Sequence, residues 1–309
     1  MGDPLREWVG PFVAVITPFD ADGNIVEPDF RTLVRGFLAD GARGIIVAGH
    51  NGEHWSLRPG ERERLTALAK EEVGDRVPVL CGIEAMEASQ VLGDAIGATR
   101  RGADGIMLEP PYVVNHATDE ELIDRYVRVA DGCPVPIMLY NNPWRTHIDM
   151  TPEVVAKLAQ HENIVALKEA VNDFAAITAK IEQTRGRLNI FVGQAALIAP
   201  GVLFGAKGFI SSGPMEIMRG EGARLYELAS RGDVHGVYPL HVKAIRVFTA
   251  LFSMATWPAT LKAAMNALGY PAGVPRLPVH SLGRAEQANL FKALEDAGVR
   301  GLELSLATR

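Results

Sequence analysis

Three things are scarce in this chain, and each scarcity excludes a class of protein. Cysteine occurs twice in 309 residues, as Cys81 and Cys133, both in or beside apolar runs. So few thiols exclude a disulfide-stapled scaffold and read as free, buried groups in a reducing cytosol. Basic charge is also short: 31 Lys and Arg against 37 Asp and Glu give a formal net charge of −6. A nucleic-acid partner would normally require a basic face, so that partner is not expected. No apolar run approaches the ~18 residues of a membrane-spanning helix. The opening MGDPLREWVG has no apolar core of an export signal. The expectation is a soluble cytoplasmic protein with neither membrane nor nucleic-acid contacts.

What is present is ordinary globular material, 48% hydrophobic and 22% charged, which excludes a disordered chain. Short apolar runs recur at Phe12–Phe19, Gly44–Gly49, Pro78–Ile83, Gly105–Pro111, Pro136–Asn142, Ile164–Ala170, Leu188–Gly193 and Lys207–Ser212. They are apolar throughout rather than alternating, as in parallel strands covered on both faces. Between them lie stretches of helical period, several opening on start signals such as Thr151-Pro152-Glu153 and Asp119-Glu120-Glu121. Eight β-then-α units predict a (β/α)₈ barrel in the α/β class, with an open doubly wound sheet as the competing arrangement. After about Glu216 the pattern becomes helical only. We therefore expect a catalytic barrel over residues 1–230 and a C-terminal helical extension over 231–309.

In such barrels the chemistry gathers at the C-terminal ends of the strands. Lys70, Lys157, Lys180, Lys243, Lys262 and Lys292 fall on helical segments, where a solvated face accounts for them, and Lys207 precedes its strand. Lys168 alone stands late in an apolar strand, Ile164-Val-Ala-Leu-Lys168-Glu-Ala. Turned inward it is a desolvated amine, able to attack a keto group and form an imine; paired with an inward carboxylate it is a structural ion pair. One βα unit upstream, Tyr140 ends its strand and would lie beside Lys168, either as a proton carrier or as a rim aromatic. Arg145 follows, as a carboxylate clamp or an ordinary surface arginine.

The loop after the second strand reads Gly49-His50-Asn51-Gly52-Glu53-His54. Its backbone N–H groups could cradle an anion. The spacing His-x-x-Glu-His also matches an inverted zinc-protease motif, which needs a helix to bring both histidines to one face. Gly52 interrupts it and a strand precedes it, so no metal and no cofactor are expected.

With Gly49-His-Asn-Gly-Glu53, Tyr140-Asn-Asn-Pro143 and Leu167-Lys168-Glu-Ala170 in this order, the chain resembles the dihydrodipicolinate synthase / N-acetylneuraminate lyase family. The resemblance runs from about Gly10 to Leu282. It implies a metal-free, homotetrameric lyase of the class I aldolase type that binds pyruvate or a related 2-keto acid as an imine. It assigns imine formation to Lys168, proton transfer to Tyr140, the substrate carboxylate to the loop at His50 and Asn51, and pocket lining to Gly193 and Ile210. Arg145 matches the arginine that holds the second substrate in lysine-biosynthesis synthases.

The departures are equally informative. Synthases usually read Gly-Thr-Thr-Gly-Glu where this chain has His50 and Asn51, and Val113 stands where they place a relay tyrosine in the Pro110-Pro111-Tyr112 segment. The hydroxyl relay is thus absent at three positions, while imine formation requires only an amine and a proton carrier. His50 is read as an added acid/base, as a contact to the distal part of the substrate, or as a hydrogen-bonded spacer. Three functions follow: a lyase on pyruvate or a 2-keto-3-deoxy acid (aldol cleavage, condensation or dehydration), a true 4-hydroxy-tetrahydrodipicolinate synthase, or a non-catalytic 2-keto-acid binding protein.

Overall fold

The computed structural model describes residues 3–114 and 116–302; the end of the expected C-terminal extension, 303–309, lies outside them. Eight parallel strands close into a barrel in sequence order: β1 (Gly10–Ala14), β2 (Gly44–Val47), β3 (Val79–Ile83), β4 (Gly105–Leu108), β5 (Ile137–Asn141), β6 (Ile164–Glu169), β7 (Asn189–Val192) and β8 (Gly208–Phe209). The open doubly wound alternative is excluded by the pairing of β8 with β1, Gly10 opposite Gly208.

Helices separate the strands and cover the barrel from outside, and their starts follow the local chemistry. Thr118 and Glu121 form a reciprocal capping box on helix Asp119–Gly132, and the Thr151 hydroxyl accepts from the Val154 N–H at the start of Pro152–Leu158. Among the described residues, four further helices, Gly220–Ser230, Val234–Ser253, Ala259–Ala267 and Arg284–Asp296, follow β8. No helix among the described residues is long and apolar enough to cross a membrane.

Alternation along each strand divides the core. Phe12, Ile46, Leu80, Met107, Met138, Tyr140, Ala166 and Phe191 belong to the cluster that fills the barrel, closed from below by Trp8. Their neighbours Ile106, Leu108, Ile137, Leu139 and Leu167 pack outward against helices. Glycine permits the tightest approaches: a Cβ on Gly44 would run into the Phe12 ring, and one on Gly208 into the Gly10 carbonyl.

Several strands are shorter than their apolar runs. The first run continues to Phe19, but β1 ends at Ala14; Phe19 instead bridges Ile25 and Val274 in antiparallel fashion. The eighth run spans Lys207–Ser212, of which only Gly208–Phe209 pair as strand. Residues beyond these ends remain buried in loops folded over the barrel mouth, so their apolarity reports burial rather than pairing.

Candidate active site

Parallel pairing sets Tyr140 directly opposite Lys168 across β5 and β6. Both point inward, and Lys168 Nζ stands 3.9 Å from the centre of the Tyr140 ring. The outward residues of the same pair lock this register. Asn141 Nδ2 donates to Glu169 Oε1 at 2.8 Å, and Lys180 Nζ donates to Glu169 Oε2 at 2.5 Å, with Lys180 and Glu169 fully buried. This corrects the expectation of a solvated face for Lys180. It follows Ile177 at helical i,i+3 spacing, on the face turned to the barrel.

Lys168 is 8% exposed, and among the described residues no carboxylate lies within 4.0 Å of its Nζ. The structural ion pair considered from sequence is therefore not formed. Burial pushes the ammonium down to about 8; Arg145 reinforces this, while Glu109 and Glu216 oppose it. At pH 7 that leaves roughly one amine in ten neutral, against about one in 3,000 for an ordinary lysine. Burial raises the neighbouring Tyr140 phenol well above its ordinary range, so it persists as a proton donor. Its oxygen accepts from Asn142 Nδ2 at 2.9 Å.

The loop after β2 is held from two sides. Ala48 and Glu53 both take positive φ, 52° and 55°, a conformation non-glycine residues adopt only when their surroundings impose it. Glu53 is anchored by Lys262 Nζ at 2.5 Å and by the Arg276 N–H at 2.9 Å. Lys262, placed on a solvated face from sequence, is instead 1% exposed and also donates to the carbonyls of Thr17 and Val274. Its helix, Ala259–Ala267, is buried nearly all round. Helix Ala259–Ala267 and the segment after it thus fix the loop that enters the site.

Within that loop the Asn51 side chain is spent on the protein itself. Its Nδ2 donates to Ala14 O and to Glu216 Oε1, both at 3.0 Å, and its Oδ1 accepts from Ser212 Oγ at 2.9 Å. Among the described residues, the N–H groups of His50, Asn51 and Gly52 meet no backbone carbonyl, so any anion cradle here is made by main chain. Burial pushes Glu216 up to about 7, opposed by backbone N–H donors, Lys168 and Asn51.

His50 Nε2 lies 3.0 Å from Glu109 Oε1, and its Nδ1 lies 3.4 Å from the Tyr140 hydroxyl. Burial pushes the imidazole down to about 4; Glu109 opposes, and His54 and Arg145 reinforce. Burial alone would raise Glu109, but the facing His50 holds it below the usual carboxylate range. The arrangement is therefore a neutral imidazole donating from Nε2 to a carboxylate, its tautomer assigned from these partners. His50, His54 and Glu109 offer donor atoms within 4.8 Å of one another and so could hold a metal ion. The glutamate of the His-x-x-Glu-His pattern is not among them, because Glu53 turns away to Lys262.

These groups open into a cavity of about 360 Å³ at the C-terminal ends of the strands. His50, Asn51, Tyr140, Arg145, Lys168, Gly193 and Ile210, the residues read as catalytic or substrate-binding, all line it. Gly193 is required there by contact: a Cβ would stand 2.8 Å from Ala170 Cβ and 3.0 Å from Glu169 O. Tyr112 and Val113 stand exposed beyond β4 and do not line the cavity. Sequence reading missed an aromatic stack on its outer wall, Phe248 over Phe252 and Phe252 over Trp257, each pair 4.3 Å apart. It also missed Glu109 and Glu216. Strand alternation from inward Met107 would have found Glu109, whereas Glu216 follows β8 in irregular chain. A larger depression, about 790 Å³, lies at the opposite end beside Trp8, where Lys70 and Asp104 pair.

The family model described as the dihydrodipicolinate synthetase family matches residues 7–297. The chain belongs to that family. It is a lyase of the class I aldolase type. The 4-hydroxy-tetrahydrodipicolinate synthase of Pelobacter propionicus is 32% identical over 290 residues, covering 94% of this chain and 99% of the relative. Among solved structures, YagE of Escherichia coli K12, a prophage protein of the dihydrodipicolinic acid synthase family in complex with pyruvate, superposes with a TM-score of 0.89. It is 26% identical and covers 95% of this chain and 99% of its own. A monomeric dihydrodipicolinate synthase variant superposes with a TM-score of 0.90 at 27% identity, covering 96% and 99%.

Proposed function

We propose that the protein is a Schiff-base-forming lyase acting on pyruvate or a 2-keto-3-deoxy acid, by aldol cleavage or condensation or by dehydration. The observation that carries this is the buried, unpaired Lys168 amine beside Tyr140 at the barrel mouth. In this reading neutral Lys168 adds to C2 of the keto acid, Tyr140 supplies the proton with which the carbinolamine loses water, and the iminium accepts the electron pair released at C3. The main-chain N–H groups at His50–Gly52 hold the carboxylate, and Gly193 and Ile210 line the keto-acid end. Residues 1–230 act as the catalytic barrel, and 231–309 as the extension whose Lys262 and Arg276 hold the Glu53 loop. No metal or cofactor takes part, and the working form is a cytoplasmic homotetramer, checked by mass in solution.

The relatives' shared name supports a second reading, a 4-hydroxy-tetrahydrodipicolinate synthase condensing pyruvate with aspartate semialdehyde. Arg145, half-buried on the cavity wall, would hold the second carboxylate. The replaced hydroxyls favour the first reading, because the side chains of the synthases' relay are gone, and the stacked Phe248, Phe252 and Trp257 add a flat apolar wall to the cavity beside Arg145. A screen of aldol and dehydration reactions on 2-keto acids, run beside the semialdehyde condensation and repeated with Lys168→Ala, separates the two. Turnover by Lys168→Ala equal to wild type would defeat both, as would a fold that binds 2-keto acids without turning any over.

A further inference from the structure

The family's hydroxyl relay is missing here, yet Tyr140 is not left without a proton partner. Its hydroxyl lies 3.4 Å from His50 Nδ1, and His50 Nε2 lies 3.0 Å from Glu109 Oε1. The three side chains come from the ends of β5, β2 and β4, and Tyr140 and Glu109 are buried at 4% and 5% exposure. Asn142 already donates to the Tyr140 oxygen, which leaves the phenolic hydrogen free to point at Nδ1. We propose that Glu109, His50 and Tyr140 form a proton relay in place of the hydroxyl relay, with His50 receiving the Tyr140 proton and Glu109 acting as a positioning residue. The proposal rests on the imine at Lys168.

For a 4-hydroxy-2-keto acid bound as the iminium, Tyr140 takes the proton of the C4 hydroxyl as its own proton passes to His50 Nδ1. The C3–C4 bond breaks, its electron pair forms the enamine C2=C3 bond, and the C4 fragment leaves as an aldehyde. The imidazolium, held against the Glu109 carboxylate, then returns the proton through Tyr140 to C3, and water hydrolyses the iminium to free pyruvate and Lys168. The buried phenol thereby avoids standing as a bare phenolate, which its surroundings disfavour.

The charged and titratable groups around His50 are Glu109 from β4, Tyr140 and Arg145 from β5 and its loop, Lys168 beyond Tyr140, and His54 from its own loop. His54 stands 4.8 Å away, ring to ring, with Glu84 behind it at 3.2 Å. A metal on His50, His54 and Glu109 is the rival use of these atoms. The relay is favoured because both His50 nitrogens are already directed along it, and a metal would have to displace the Nε2–Glu109 contact.

The test follows exchange of the pyruvate methyl protons in D2O by proton NMR, with borohydride trapping on Lys168 measured in the same samples. His50→Asn, Glu109→Gln and the double variant are compared with wild type. The relay predicts that each variant still forms the Lys168 adduct, while exchange falls about 10²-fold in His50→Asn. In Glu109→Gln exchange falls less. Divided by the Lys168 adduct formed in the same sample, which removes the parallel fall that loss of Glu109 causes at Lys168, its exchange has an acid limb moved to lower pH, because removing the carboxylate makes His50 harder to protonate. The double variant should be no slower than His50→Asn, since the two residues act in series. If His50→Asn does not fold, the pH shift of Glu109→Gln decides. Exchange within twofold of wild type, an unmoved pH profile, or additive losses overturn the relay while leaving the imine intact. Stoichiometric metal with chelator-sensitive exchange assigns the cluster to an ion instead. Absence of an adduct in wild type defeats the underlying reading as well.

Discussion

Replacing Lys168 by methionine should raise stability at neutral pH while abolishing imine formation. The ammonium is pushed down to about 8 from an ordinary 10.5 because burial strips its water, and among the described residues no carboxylate within salt-bridge distance compensates. Below pH 8 both folded and unfolded chains carry the charge, and the folded one bears the full cost of holding it. Between pH 8 and 10.5 the unfolded chain binds more protons, so wild-type stability rises with pH across that window. The gap from 10.5 to about 8 corresponds to about 3 kcal/mol at pH 7 and about 2 kcal/mol at pH 9. Methionine fills similar space without charge, so the variant should be more stable by about those amounts. Urea unfolding of both proteins at pH 7 and pH 9, at equal protomer concentration, reads the difference. A variant no more stable than wild type at pH 7, or an advantage that does not shrink at pH 9, would refute the claim that Lys168 is a desolvated, unpaired amine.

Tyr140→Phe keeps the ring under Lys168 but removes the proton carrier, so imine formation with pyruvate should slow by about 10²-fold or more in stopped-flow trapping, with little loss of stability. Lys262→Met leaves Glu53 as a buried, uncompensated charge. It should cost about 3–5 kcal/mol by urea unfolding and weaken pyruvate binding, because Glu53 anchors the β2 loop. Gly193→Ala places a methyl 2.8 Å from Ala170 Cβ and should cost about 1–3 kcal/mol while raising KM for the keto acid.

The barrel was legible because parallel strands covered on both faces read as unbroken apolar runs. The same signal overextended β1 and β8, where buried loops over the mouth are as apolar as the strands. Lys168 and Tyr140 could be paired from sequence because adjacent strands in a barrel bring equivalent positions together, and the register sets them side by side. Lys180 and Lys262 were misjudged for the opposite reason. A helix-borne lysine is usually solvated, and only the tertiary partners Glu169 and Glu53 reveal that these two are buried. His50 was left with three open roles because its meaning depends on Glu109, a residue in another βα unit whose inward direction had not been drawn from the strand's alternation. The aromatic stack at the mouth comes from helix Val234–Ser253 and the turn after it, beyond the barrel, and no local pattern aims those side chains at the site.

The most direct measurement is reduction of the protein with borohydride in the presence of pyruvate, followed by peptide mapping of the added mass. The account predicts one adduct per chain, on the peptide carrying Lys168, absent without pyruvate and absent in Lys168→Ala. The yield before saturation should rise with pH through about 8 as the amine loses its proton. No adduct across a panel of 2-keto acids, or an adduct on another lysine that survives Lys168→Ala, would contradict the account.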